Sequence, residues 1–130
     1  MDTLTAVSLC VFSRHVLWEI HQRSPSMGLN LTWLTAAEGS RVDEMLLSVG
    51  RRNAEERIAS SLVVLFRRAA ALQNDNGKGG VIWPLTQQHI ADSLGMSLVH
   101  TNKTLRKLQA RGFFEIKDGR LFLEDVRALA

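Results

Sequence analysis

The groups in this 130-residue chain that could do chemistry are four histidines, one cysteine and a cluster of amide, hydroxyl and cationic side chains near residue 100. His15, His21, His89 and His100 show no metal-ligand spacing, and no nucleophile has a base beside it. Those residues argue against an enzyme. Cys10 is the sole cysteine, which excludes a disulfide framework, a thiolate zinc site and a four-cysteine iron-sulfur cluster. In an apolar run it is expected to be a small buried hydrophobe. Gly77-Lys78-Gly79-Gly80 lacks the glycine spacing and the following Ser or Thr of a phosphate loop, and it follows a helical pattern instead of a strand. The remaining cluster has the chemistry of base edges and phosphates. Lys103 can donate to guanine, Asn102 can pair with adenine through two bonds, and Val99 can meet a thymine methyl. His100 can donate to a phosphate or a base acceptor, Gln87 and Gln88 suit phosphate, and Ser97, Arg106 and Lys107 complete the set of candidate DNA contacts.

Spacing indicates how these groups are held. Thr86 suits the N-cap of a short helix carrying Ile90, Ala91 and Leu94 inward, and Gly95 supplies a left-handed turn. Ser97 caps the next helix, predicted over 97–111, with Leu98, Thr101, Leu105 and Leu108 as its inward stripe. That stripe leaves Val99, His100, Asn102, Lys103 and Arg106 outward. Gly112 ends the helix. Phe114–Ile116 and Leu121–Leu123 flank Lys117-Asp118-Gly119-Arg120, a strong hairpin signal, and Asp125 is expected to start a terminal helical turn. Two helices around a glycine turn followed by a hairpin are the pattern of a winged helix-turn-helix, which places its second helix in the major groove.

Charge supports this through its distribution rather than its sum. The net charge is only +3, yet no Asp or Glu lies between Ser93 and Phe114, where Lys103, Arg106, Lys107 and Arg111 all fall. Hydrophobic residues make up 45% of the chain and charged residues 22%, the balance of a folded protein. No window supplies the roughly 20 apolar residues of a membrane span, and no secretory leader is visible, so the cytoplasm is the expected compartment.

The upstream segments must carry this reader. Leu4 to Phe12 has the composition of one buried strand, which cannot stand without sheet partners. A short helix over 15–21 stops near Ser24-Pro25, and a long one runs from Ser26 to about Val49. Its residues Met27, Leu31, Leu34, Val42, Met45 and Val49 recur at steps of three, four or multiples of these, with Glu38 interrupting, a seam suited to pairing with an identical helix. Leu29, Trp33 and Leu47 make a second apolar face, while Gly28 and Gly39 are each expected to weaken the helix by roughly 1 kcal/mol relative to alanine. Asn53 and Glu56 have capping-box spacing for a further helix to about Leu72, with Ile58, Leu62, Leu65, Phe66 and Ala69 inward. A polar turn-forming loop follows at 74–80, then a strand at Val81–Trp83 ended by Pro84.

Gly50 to Ala130 resembles the C-terminal DNA-binding domain of the Crp/Fnr family of bacterial transcription regulators. The resemblance is carried by Ala54-Glu55-Glu56-Arg57-Ile58-Ala59, Leu85-Thr86-Gln87-Gln88-His89-Ile90-Ala91-Asp92-Ser93-Leu94-Gly95 and Val99-His100-Thr101-Asn102-Lys103-Thr104-Leu105. Residues 15–49 resemble the family's dimerisation helix and residues 4–12 its last β-roll strand. The implied architecture is mainly α with a small β-sheet: a β-roll remnant at 1–14, a helical dimerisation segment at 15–50 through Leu31, Leu34, Val42, Met45 and Val49, and a winged helix-turn-helix at 51–130. Lys103 stands where a groove-reading arginine is usual and Val99 where many members place glutamate, which implies a different target sequence. The family's effector-binding β-roll has only its final strand here, so effector independence and no cofactor are expected, whether the chain is a truncated product or a piece of a longer one.

The reading that follows is sequence-specific, homodimeric binding of double-stranded operator DNA for transcription regulation. RNA polymerase is a further candidate partner, and no membrane is involved. A second reading is a sensorless partner that pairs with full-length relatives and titrates them.

Overall fold

The computed structural model describes residues 3–72 and 79–124. It divides into two compact units, one of residues up to Leu47 and one from Ser48 onward. The 74–78 part of the expected loop and the expected helical turn at Asp125 lie outside the described residues.

In the first unit, residues 3–13 are exposed and form no strand. This corrects the expectation of a buried strand at 4–12: among the described residues of this unit no second strand offers a ladder, and an unpaired strand has nothing to bury against. Cys10 is correspondingly exposed. Helix α1 (Arg14–Arg23) ends where the Ser24 N–H donates to Ile20 O. Pro25, whose fixed φ suits a first helical position, begins α2 (Pro25–Arg51). Gly28 is not a helix defect. An added Cβ would lie 2.7 Å from the His21 ring and 3.2 Å from the His21 Cα, so glycine is what lets α1 close on α2. At Gly39 nothing lies within 4 Å, and the helix cost expected of glycine stands without an evident return.

The second unit holds the core. Helix α3 (Ala54–Leu72) starts with the predicted capping box: the Glu56 N–H donates to Asn53 Oδ1 at 3.0 Å, and the Asn53 N–H donates to Glu56 Oε2 at 2.9 Å. Ile58 and Leu62 pack with Val81, Trp83, Ile90, Leu94, Leu105, Leu108, Phe114 and Leu121, with Leu65, Phe66 and Ala69 at the margin. Ala59 and Val63 bury a second flank against Phe113 and Leu123.

Three strands form one antiparallel sheet in the order β1-β3-β2 (β1, Val81–Ile82; β2, Phe114–Lys117; β3, Arg120–Leu123). Val81 pairs with Leu121, and Phe114 with Leu123. Asp118 (φ 51°) and Gly119 (φ 69°) are both left-handed, as a two-residue hairpin turn of the primed type requires. No helix of the described residues is long and apolar enough to cross a membrane.

Candidate nucleic-acid interface

The helix-turn-helix is assembled from α4 (Gln87–Ser93) and α5 (Leu98–Ala110). Thr86 Oγ1 accepts from the His89 N–H at 3.3 Å, and the Thr86 N–H donates back to His89 Nδ1 at 3.1 Å. Ile90, Ala91 and Leu94 are buried, as the spacing predicts. Gly95 takes φ 62°, and the Met96 N–H closes the turn on Ala91 O at 2.9 Å. Ser97 Oγ then accepts from the His100 N–H at 3.3 Å, which leaves the serine hydroxyl its own proton for an external acceptor.

The inward stripe of α5 is Thr101, Thr104, Leu105 and Leu108. Leu98, expected inside, is 40% exposed, while Thr104 is 5% exposed. Thr101, Leu105 and Leu108 are inside as expected, and Thr104 takes the place expected of Leu98. Thr104 Oγ1 donates to His100 O at 2.9 Å, so its burial leaves no unmet donor, whereas the buried Thr101 Oγ1 has no hydrogen-bond partner among the described residues.

The structure exposes Val99, His100, Lys103 and Arg106 on α5 and Gln87 at the start of α4. Leu98 joins Val99 as an apolar pair on the first turn, a feature the sequence stripe had turned inward. Three candidates are engaged or buried within the chain. Asn102 is half-buried, and its Oδ1 is buried without a hydrogen-bond partner among the described residues. A two-bond contact to adenine needs both amide atoms, so as placed Asn102 cannot make it. Gln88 Nε2 donates to Asp92 Oδ1 at 2.6 Å, a helical i,i+4 pair that occupies part of its amide.

Lys107 is the third. Its ammonium is paired with Glu55 Oε1, and Arg111 Nη1 lies 3.0 Å from Glu55 Oε2. The basic stretch without acids therefore has a counter-ion, from the first turn of α3. The Lys107 hydrogen bond, opposed by partial burial and helped by the charges of Lys107 and Arg111, holds the Glu55 carboxyl below its ordinary value. Glu55 stood in the sequence beside the capping Glu56, and nothing local marked it as a tertiary partner.

Among the described residues no group of three or more His, Cys, Asp or Glu side chains could hold a metal ion. The expected dimer-seam residues are also open in the single chain: Leu34, Val42 and Met45 are exposed, and Leu31 and Val49 are half-buried.

The geometry can be set against known proteins. The Crp-like helix-turn-helix domain matches residues 56–130. The chain is 32% identical over 118 residues to the transcriptional activator protein FnrL of Cereibacter sphaeroides, covering 89% of this chain and 48% of that protein. It is 34% identical over 128 residues to the nitrogen fixation regulation protein FixK of Azorhizobium caulinodans, covering 95% and 51%. The chain thus spans about half the length of these relatives. Among solved structures, FixK2 of Bradyrhizobium japonicum superposes with a TM-score of 0.73 at 24% identity, covering 89% of this chain and 56% of that one. A CooA mutant of Carboxydothermus hydrogenoformans does so at 0.68 and 21%, covering 88% and 52%. At those identities the superpositions speak for the fold, whereas the family match spans more than half of the chain. With the capped helices, the glycine turn and the wing in place, the chain belongs to the family of proteins with a Crp-like helix-turn-helix domain.

Proposed function

We propose that the chain is a sequence-specific binder of double-stranded DNA that regulates transcription as a homodimer, with α5 in the major groove. The observation that carries the reading is the two-sidedness of α5. Thr101, Thr104, Leu105 and Leu108 lock one side into the core, while Leu98, Val99, His100, Lys103 and Arg106 stand exposed on the rest. Lys103 and Arg106 have no ion-pair partner among the described residues.

In this reading Val99 and Lys103, near the helix start, meet base edges, and Arg106 meets phosphate one turn on. Gln87, Gln88, Ser97 and His100 supply flanking phosphate contacts, and Asn102 contributes only after its side chain rotates. The seam of Leu31, Leu34, Val42, Met45 and Val49 pairs two copies through α2, with Met27 at its start. The exposure of Leu34, Val42 and Met45 supports that pairing, since an apolar seam left in water is a standing driving force for association. A two-fold dimer calls for two half-sites about 34–36 Å apart on the duplex.

Selection of bound sequences from a random duplex pool at stated salt tests the proposal. A recovered inverted repeat supports it. A pool that stays random while binding persists would leave only non-specific affinity.

A further inference from the structure

The four cations associated with α5 are not equivalent. Lys107 and Arg111 lie one helical turn apart, and both donate to the Glu55 carboxylate. Arg111 is held a second time, its guanidinium 4.8 Å over the centre of the Phe113 ring. Lys103 and Arg106 are left without ion pairs among the described residues. One carboxylate, 52 and 56 residues away in sequence, divides the cations into a held pair and a free pair. Glu55 is not needed to cap α3, because Asn53 and Glu56 already cap it reciprocally.

We propose that Glu55 is a positioning residue of the DNA interface: it withholds Lys107 and Arg111 from phosphate, and so limits the number of phosphate contacts while tying α5 to α3. The inference rests on the reading of α5 as the DNA-binding helix. Its physical basis is that each phosphate-bound cation adds affinity on every sequence alike, whereas base contacts add it only on the preferred one. Holding two cations back lowers affinity for every duplex alike and leaves discrimination to the base contacts. Lys107, a candidate phosphate contact on sequence grounds, is reassigned to this tether.

The test is a double-mutant cycle read as salt slopes. Wild type, Glu55→Gln, Lys107→Gln and the double variant are titrated with a duplex recovered by selection and with a scrambled duplex of the same composition. Glutamine at 55 keeps a hydrogen-bond acceptor and removes the charge, and Lys107→Gln approaches the pair from its other side should either variant fold poorly. With Glu55 present, Lys107→Gln should leave the salt slope within about half a unit of wild type, because a tethered lysine releases no counter-ion. With glutamine at 55, the same change should lower the slope by about one unit, because the lysine is then free to reach phosphate. Glu55→Gln alone should steepen the slope and raise affinity on both duplexes alike, leaving the ratio between them nearly unchanged. Equal slope losses from Lys107→Gln in both backgrounds, or none in either, overturn the proposal. Lys103→Ala in the same titration reports on the underlying reading by itself: if it changes nothing, α5 is not the DNA-binding element and the tether has no interface to limit.

Discussion

Gly80 and Phe122 are fitted to each other: a Cβ on Gly80 would lie 2.8 Å from two carbons of the Phe122 ring and 2.7 Å from Leu121 O. The glycine also sits at φ +64°, and the Arg120 guanidinium donates to Gly79 O at 3.0 Å and to Gly80 O at 2.7 Å. This short turn delivers β1 to the sheet edge beside the wing. Gly80→Ala should therefore lower domain stability by roughly 1–3 kcal/mol through backbone strain and the clash. Gly39→Ala, on an open helix face at ordinary φ, should raise helix stability by about 0.5–1 kcal/mol. Urea unfolding of the two variants checks both signs, and a destabilising Gly39→Ala would mean that its face is packed.

The cap of the helix-turn-helix is a second point of sensitivity. Thr86→Ala removes the acceptor for the His89 N–H at the start of α4, which should cost about 1 kcal/mol. In a domain of this size that is a fall of roughly 4–8 °C in Tm. Thr86→Ser keeps the hydroxyl and should recover most of the loss. Equal losses in both variants would assign the effect to the threonine methyl.

The Glu55 tether has a definite pH sign. A carboxyl whose folded-state pKa is depressed contributes stability above its unfolded pKa, near about 4.3 for glutamate, and that contribution is lost as pH falls through the folded value. Thermal unfolding of wild type and Glu55→Gln should differ at pH 7 and converge as the pH falls through the depressed folded-state value. A difference that persists at low pH would show that the carboxylate charge is not its source.

The dimer seam is tested by charge insertion. Leu34→Asp or Met45→Asp places an ion on the apolar seam of α2 and should give monomers in sedimentation experiments, with helix content kept. A wild type that is already monomeric at tens of micromolar (the scale on which about −6 kcal/mol of association shows) contradicts the pairing.

Legibility in the sequence followed the range of the interaction. The Asn53–Glu56 box, the Thr86 and Ser97 caps, the Gly95 turn and the Asp118-Gly119 hairpin are set by residues within four positions of one another, and each formed where its spacing predicted. Thr101, Leu105 and Leu108 of the α5 stripe are buried where the spacing predicted, whereas Leu98 is exposed on the first turn and Thr104 is buried with its hydroxyl bonded to the backbone. Asn102, turned outward by that stripe, is half-buried with its Oδ1 unpartnered among the described residues. Two features were beyond any local reading. The partners of Glu55 lie more than 50 residues away, and residues 3–13, apolar enough for a strand, have no strand beside them among the described residues of their unit.

The most direct measurement of the central claim is binding of Lys103→Ala to a selected duplex and to single-base variants of it, at several salt concentrations. Lys103 is exposed, outside the buried arc of α5, so its loss should change folding by no more than about 0.5 kcal/mol. If it reads a guanine, the variant should lose roughly 1–3 kcal/mol on the preferred duplex and relax preference at one base pair. Arg106→Ala should instead weaken binding on all duplexes alike and reduce the salt slope by about one unit. A folded Lys103→Ala protein whose binding curve matches wild type on every duplex would contradict the assignment of α5 as the helix that reads DNA.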